Sequence, residues 1–432
     1  MSMVEDNEVL TRVGPGTPMG SLMREYWLPA AKSSELTADG DPMRLTLLGE
    51  QLIAFRDSSG RVGVMDHRCP HRCASLFYGR NEEDGIRCIY HGWKYDVEGN
   101  CLDQPNLPPH QVFKDKVKAK AYVAAERNGL IWVYMGKKRP APPLPALEAN
   151  MLPESEVRID FVQRQCNWLA GVEGELDTSH IGFLHFGSVT AGTMAASLQR
   201  FALTNRTPEY VSTETDYGAV YAAYRPADDG STYWRFGQFA FPCWTMPPIN
   251  AFEHNILNRA YVPMDDTHTM IVDVVWKEAY QRLVYSTQVP GGSTRQYNYL
   301  PNTTDWHGRW RLAGNNSNDH LIDREVQRTK SFSGIDGIQP QDQAVQESMG
   351  EIVDRSFEHL AASDIMIARV RRLLLKAARG TAQGTMPPGA ADPLCLDGVR
   401  GGHFVAKQGI EWLQALKDQR EAAVPVARMA AE

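Results

Sequence analysis

The chain has 432 residues, 43% of them hydrophobic, and a formal net charge of −7. That length allows two or three domains, and the acidic balance offers no basic surface to nucleic acid or an anionic membrane. No stretch is apolar enough for a transmembrane helix. The start, MSMVEDNEVLTRVG, has no signal-peptide core, and seven cysteines are too few for a disulfide scaffold, so a cytoplasmic protein with free thiols is expected.

In chain order, RVGPGTPMGSLMREYWLP mixes Gly/Pro turns with a short helix around Leu22–Tyr26. From Met43 the pattern is of short strands, RLTLLG, QLIAFRD and RVGVMDH, with hairpin turns at Gly49-Glu50 and Asp57–Gly60. Next comes CPHRCASLFYGRNEEDGIRCIYH, in which Cys69 and His71 form one pair and Cys88 and His91 a second, sixteen residues on. Two thiolates for one iron and two imidazoles for the other suit a Rieske 2Fe–2S cluster. Pro70 stiffens the first loop, and Gly92 supplies a tight turn after His91. The rival is a Cys2His2 zinc site, but zinc sites usually pair like with like along the chain. Cys73 has no cysteine counterpart in the second pair, unlike the disulfide-joined loops of respiratory Rieske proteins. A hairpin at Glu98–Asn100 and an apolar strand from Leu130 to Met135 complete the first domain. The proline-rich run GKKRPAPPLPAL, Gly136–Leu147, is a stiff connector. The domain boundary is placed there: 1–147 and 148–432.

The second domain opens with a strand in VRIDFVQRQCNW and a helical pattern from Ala170 to about Leu184. Strands are expected from about Gln199 to Val289, a polar excursion over Pro290–Asn318, and a long helix over Gln341–Arg379 broken near Ala362. The tail from Gly380, with a helix near Lys407–Glu421, reads as peripheral. The order implies an α+β fold, an antiparallel sheet wrapped on helices after a β-rich domain. Within EGELDTSHIGFLHF, Asp177, His180 and His185 suggest two histidines of a 2-His-1-carboxylate iron site. Asp177 and His180 share a helix face, whereas five residues turn His185 about 140° away, so the helix must distort or end, with Gly182 the expected place. Asp342 is the chosen carboxylate and Glu347 the alternative.

These motifs, with GPGTPMG…REYWLP and NDHLIDRE…QDQAVQESMGEIVDRSFEHL, resemble the terminal oxygenase component of Rieske non-haem iron oxygenases, phthalate dioxygenase group. The resemblance implies a cluster on Cys69, His71, Cys88 and His91, and mononuclear Fe(II) on His180, His185 and Asp342. Asp177 would bridge His180 to a cluster histidine of a neighbouring subunit. It further implies a homotrimer or stacked hexamer, with electrons from an NAD(P)H-dependent reductase carrying flavin and a plant-type 2Fe–2S centre. An aromatic acid and O2 would be the substrates, and Arg206 and Arg235 are candidates for the carboxylate. FAFPCWTMPPINAF is either a pocket wall or core. The alternatives are an O-demethylase of methoxylated aromatic acids and a non-enzymatic electron carrier with a ligand-binding domain.

Overall fold

The computed structural model describes residues 3–187, 198, 200–279 and 297–423. Helices Met3–Thr11 and Pro18–Arg24 lead the chain. Thr17 caps the second by accepting from the N–H of Gly20, with Pro18 in the first turn, so this helix starts earlier than Leu22 and stops at Arg24.

The N-terminal strands are β1 (Trp27–Lys32), β2 (Met43–Leu47), β3 (Glu50–Arg56), β4 (Val62–Asp66), β5 (Arg80–Glu82), β6 (Gly85–Arg87), β7 (Lys94–Tyr95), β8 (Cys101–Asp103), β9 (Ala121–Arg127) and β10 (Leu130–Tyr134). They form a six-stranded sheet, β1-β10-β9-β4-β3-β2, and a four-stranded sheet, β5-β6-β7-β8. The first hairpin turns one residue earlier than expected. Leu47 already pairs with Glu50, and Leu48 and Gly49 take positive φ of 48° and 73°, as a tight hairpin turn requires.

The rest of the chain builds an eight-stranded antiparallel sheet from β11 (Val157–Arg164), β12 (Glu209–Thr215), β13 (Gly218–Pro226), β14 (Ser231–Ala240), β15 (Trp244–Met246), β16 (Leu257–Pro263), β17 (Thr269–Trp276) and β18 (Gly402–Lys407). β14 divides its pairing: Gln238–Ala240 meet β15, whereas Ser231–Phe236 meet β18. β18 corrects the expectation of a peripheral tail. His403 and Phe404 are buried there, and only the helix at Trp412–Ala422 matches the helical reading. Phe239, Phe241, Trp244 and Met246 of FAFPCWTMPPINAF are all buried in the main core, and Phe241, Pro242 and Trp244 also line a pocket beside Tyr26 and Trp27.

Two expected helices are shorter than their patterns. The helix over Trp168–Leu176 ends before Asp177, which takes extended backbone, so Asp177 and His180 do not share a helix face. The Asp177 carboxylate instead accepts the N–H and hydroxyl of Ser179, at 2.7 and 2.6 Å, a local turn that competes with helix. The chain resumes as a single 3-10 turn at His180–Gly182, so the break falls before Gly182. Likewise the long helix is two: Ile338–Ser348 and Ile365–Ala382, parted from Gly350 (φ 91°) onwards rather than near Ala362 alone. The strands expected from Gln199 begin only at Glu209, after a short helix at Arg200–Thr204; the expected strands and excursion over 280–296, and Gln199, lie outside the described residues.

One hydrophobic core spans both parts of the chain, with Trp132 of β10 packed 5.8 Å from Trp244 of β15. The connector has no helix or strand but is pinned where Trp27 Nε1 donates to the carbonyl of Pro142 at 2.6 Å. Arg309 adds a bidentate pair to Glu35, at 2.9 and 2.7 Å. Among the described residues no helix is long and apolar enough to cross a membrane.

Candidate functional site

Two loops converge at the tip of the small sheet. The first folds back where Cys69 N donates to the carbonyl of Ala74 at 2.8 Å, the second where Cys88 N donates to that of Trp93, also at 2.8 Å. Gly92 has φ 76° and closes the second loop with its N–H on the Cys88 carbonyl. Cys69 and Cys88 are buried, whereas His71 and His91 are half-buried at the outer edge, their rings 4.5 Å apart. His71 also stacks on Trp93 at 4.3 Å. The two thiols adjoin. Contact with Cys69, together with the N–H groups of Tyr90 and His91, brings Cys88 down to about 6, while Cys69 is pushed up by Cys88 and by burial. Tyr95 Oη lies 3.4 Å from Cys69 Sγ. His91 Nδ1 is buried with no hydrogen-bond partner. A buried ring nitrogen without a partner is what a metal would satisfy, so sulfur inside and nitrogen outside fits a Rieske cluster.

The second constellation is built by two helices and the turn after the first. Trp168–Leu176 is squeezed between the sheet and the helix Ile338–Ser348. A Cβ on Gly171 would lie 2.3 Å from the Tyr261 ring, and one on Gly174 would lie 2.5 Å from Gln346 Nε2. Arg164, buried at the end of β11, bonds Gln339 at 2.5 Å and also Gln346, which fixes the second helix against the sheet. The chain therefore presents His180 and His185 opposite Asp342. His180 Nε2 and His185 Nε2 are 3.1 Å apart, and Asp342 Oδ1 lies 3.3 Å from His185 Nε2 and 3.8 Å from His180 Nε2.

The tautomers follow from the outer contacts. The amide of Gln341 donates to the carbonyl of Ile335 at 2.7 Å, so its oxygen faces His185 Nδ1, also at 2.7 Å, and His185 must donate from Nδ1. Asp177 Oδ2 faces His180 Nδ1 at 3.6 Å. The Nε2 lone pair of His185 thus points at the Asp342 carboxylate, two acceptors aimed at one another, with His180 Nε2 beside them. Only positive charge at their centre relieves that. The titrations agree. Burial opposes charge on His180, but Asp177 and Asp342 outweigh it and raise its pKa. Burial raises Asp342, but His185 and His180 bring it down to about 2. The donor set fits a 2-His-1-carboxylate metal site.

Glu347 is not brought to the histidines. Its Oε1 accepts from Gln165 N and Gln343 Nε2 at 2.8 and 2.9 Å. Among the described residues one other such trio exists, Asp265, His268 and His307. There the imidazoles contact the carboxylate itself at 3.1 and 2.9 Å, which satisfies it without a metal. The two expected arginines are separated. Arg235 is buried, its Nε donating to Thr178 Oγ1 at 2.9 Å. Arg206 lies over the rings of Phe183 and Phe186, 5.1 and 4.6 Å from their centroids.

A Rieske 2Fe-2S domain family matches residues 26–117, and a family described as LigXa C-terminal domain like matches 133–428. The 3-chlorobenzoate-3,4-dioxygenase oxygenase subunit of Comamonas testosteroni is 47% identical, over 98% of this chain and 100% of its own length. The chain belongs to the Rieske non-haem iron oxygenases. The phthalate 4,5-dioxygenase oxygenase subunit of Pseudomonas putida is 34% identical over 94% of this chain and 93% of its own. The 5,5'-dehydrodivanillate O-demethylase oxygenase subunit of a Sphingobium strain is 33% identical over 90% and 83%. Dicamba monooxygenase bound to dicamba shares the fold, with a TM-score of 0.58 at 16% identity over 84% of this chain and 99% of that one.

This Rieske oxygenase uses a 2Fe–2S cluster and a mononuclear iron, and both donor sets fit their metals. Sequence reading missed the groups that orient them. Gln341 is a buried glutamine preceding the chosen aspartate, and Tyr95 follows the second loop; in a polar helix and a short strand neither stands out.

Proposed function

We propose that the protein is the terminal oxygenase component that hydroxylates an aromatic carboxylate of the benzoate or phthalate type, with O2 and electrons from a partner reductase. The carrying observation is Arg235, a buried cation hydrogen-bonded to Thr178, two residues before His180. A carboxylate placed there would be bound beside the iron. The substrates in the names of the 47% and 34% identical relatives support an acid.

In this reading residues 1–147 form the Rieske domain, with Cys69, His71, Cys88 and His91 on the cluster. Residues 148–432 form the catalytic domain, with His180, His185 and Asp342 on the iron. The iron, when bound, activates O2 for insertion into the substrate. His71 and His91 sit at the outer edge, where a neighbouring subunit of a homotrimer or stacked hexamer would take electrons from them through Asp177. The donor of those electrons would be an NAD(P)H-dependent reductase with flavin and a plant-type 2Fe–2S centre. Gln341 holds the His185 proton on Nδ1 and keeps Nε2 free for the metal. Burial of Arg235, and its bond to Thr178, keeps the carboxylate receptor dry and aimed.

The second reading is an O-demethylase of methoxylated aromatic acids, favoured by the 33% identical O-demethylase relative. One experiment separates them: the enzyme, a reductase and NADH incubated with benzoate, 3-chlorobenzoate, phthalate and methoxybenzoates, assayed for hydroxylated product and formaldehyde. Hydroxylated acids without formaldehyde support the first reading; formaldehyde from methoxybenzoates alone replaces it with the second.

A further inference from the structure

Register places a second arginine beside the first. β13 and β14 pair with Arg225 opposite Tyr233 and Arg235 opposite Ala223, so the two arginines are diagonal neighbours on one face of the sheet. β18 sets His403 opposite Arg235 on the other side. Arg235 is tied down by Thr178 and lies 3.4 Å from Tyr233 Oη. Arg225 is not. It is 2% exposed, and its Nε and Nη1 have no hydrogen-bond partner. Tyr221 Oη, from the same face of β13, and His403 Nδ1 are also buried without partners. Among the described residues no carboxylate offsets Arg225; burial and then the Arg235 charge bring its pKa down to about 10. The same two influences, in the same order, hold His403 at about 3, so it stays neutral.

A buried guanidinium with idle N–H groups is among the most costly arrangements a protein core can hold. Here it stands diagonal to a second cation, Arg235, which in turn has His403 opposite it. An anion held between the two guanidinium groups would answer both charges. The Arg235–Thr178 bond ties this patch to the turn that carries Asp177 and His180.

We infer that Arg225, with Arg235 beside it, is the principal receptor for the substrate carboxylate, a specificity residue that the sequence alone does not single out. The inference rests on the aromatic-acid reading and deepens it. Arg225 keeps free donors for a carboxylate, whereas Arg235 spends Nε on Thr178 and Arg206 lies on two phenylalanine rings.

The test uses the full chain with its reductase, benzoate and 3-chlorobenzoate as acids, and the matching benzamides as neutral isosteres. Wild type should oxidise the acids and not the amides. Arg225→Gln should raise KM for the acids about 50-fold or more, with a much smaller change in kcat, and should erase the acid-over-amide preference. Arg225→Lys should recover part of it, since it restores charge without the fork. Ligand-free Arg225→Gln should keep its cluster spectrum and melt at a higher temperature than wild type, because an unpaired buried charge is gone; a merely structural arginine would give the opposite. If wild type prefers acids and Arg225→Gln keeps that preference and KM, the inference falls and the aromatic-acid reading survives. If wild type itself oxidises amides as readily as acids, the aromatic-acid reading fails, and this inference with it.

Discussion

At the proposed iron site two neighbouring residues of one helix divide the work. Successive helical positions project about 100° apart, so Asp342 reaches the Nε2 side of His185 and Gln341 its Nδ1 side. Gln341→Leu should remove the acceptor at His185 Nδ1, free the ring to change tautomer and weaken mononuclear iron binding about 10–100-fold. Iron content after dialysis checks this, with an unchanged cluster spectrum as the control. Asp177 acts differently. It caps Ser179 and faces His180 Nδ1 at 3.6 Å, yet remains partly exposed. Asp177→Asn keeps an acceptor for the cap but removes the charge. It should retain most of the iron and slow cluster-to-iron electron transfer about 100-fold, read by stopped-flow reoxidation of the reduced cluster with substrate and O2. The convergence of His180 with His185, and of the two cysteine–histidine pairs, was legible because such spacing has few other uses. The choice between Asp342 and Glu347 was not: both are acids on one helix, and what parts them is the capture of Glu347 by Gln165 and Gln343 from elsewhere in the chain. Arg225 was invisible for a similar reason. In YGAVYAAYRP it reads as an edge arginine until the register to Tyr233 is known.

The strands were the legible elements, since Val, Ile, Tyr and Trp runs between turn residues have few other folds open to them. Helix ends were not. The apolar pattern runs on past Leu176, but the Asp177 side chain bonds the backbone just beyond and stops the helix. The stop is what brings His185 round to His180, so the misread boundary and the site are one feature. β18 escaped because GGHFVAKQG is short and glycine-flanked; only its pairing with β14 makes it a strand. The buried helix itself depends on Gly171. An alanine there would put Cβ 2.3 Å from the Tyr261 ring, whose hydroxyl donates to Glu175 on the same helix at 2.5 Å. Gly171→Ala should therefore push the helix off the sheet, costing about 1–3 kcal/mol in stability and loosening the iron site with it. A lowered melting temperature together with reduced iron occupancy would bear this out; an unchanged iron content at the lower temperature would show that the helix and the site are not coupled.

Across the whole molecule the two proposed metal sites rest on different packed clusters, Cys69 and Cys88 on a small one with Trp93 and Tyr95, and the helix Trp168–Leu176 on the main core. The cluster loop ends in exposed apolar side chains, Ile89 at 63% and Tyr90 at 54% exposure, flanking the half-buried His91. A loop that delivers electrons gains nothing from greasy residues in water, whereas a loop seated on a neighbouring subunit does. In the proposed trimer these two residues would cover the surface around Asp177 and shut water out of the path. Ile89→Glu should then do three things together. It should leave the cluster spectrum intact, since Ile89 is not a ligand and its side chain points outward. It should shift the protein from trimer towards monomer in analytical ultracentrifugation, because a desolvated charge at a packed interface is heavily penalised. And it should abolish substrate-dependent reoxidation of a chemically reduced cluster, a readout that bypasses the reductase and so separates subunit contact from reductase docking. A variant that stays trimeric and reoxidises normally, but is reduced slowly by the reductase, would assign this apolar loop to the electron donor instead of the neighbouring subunit.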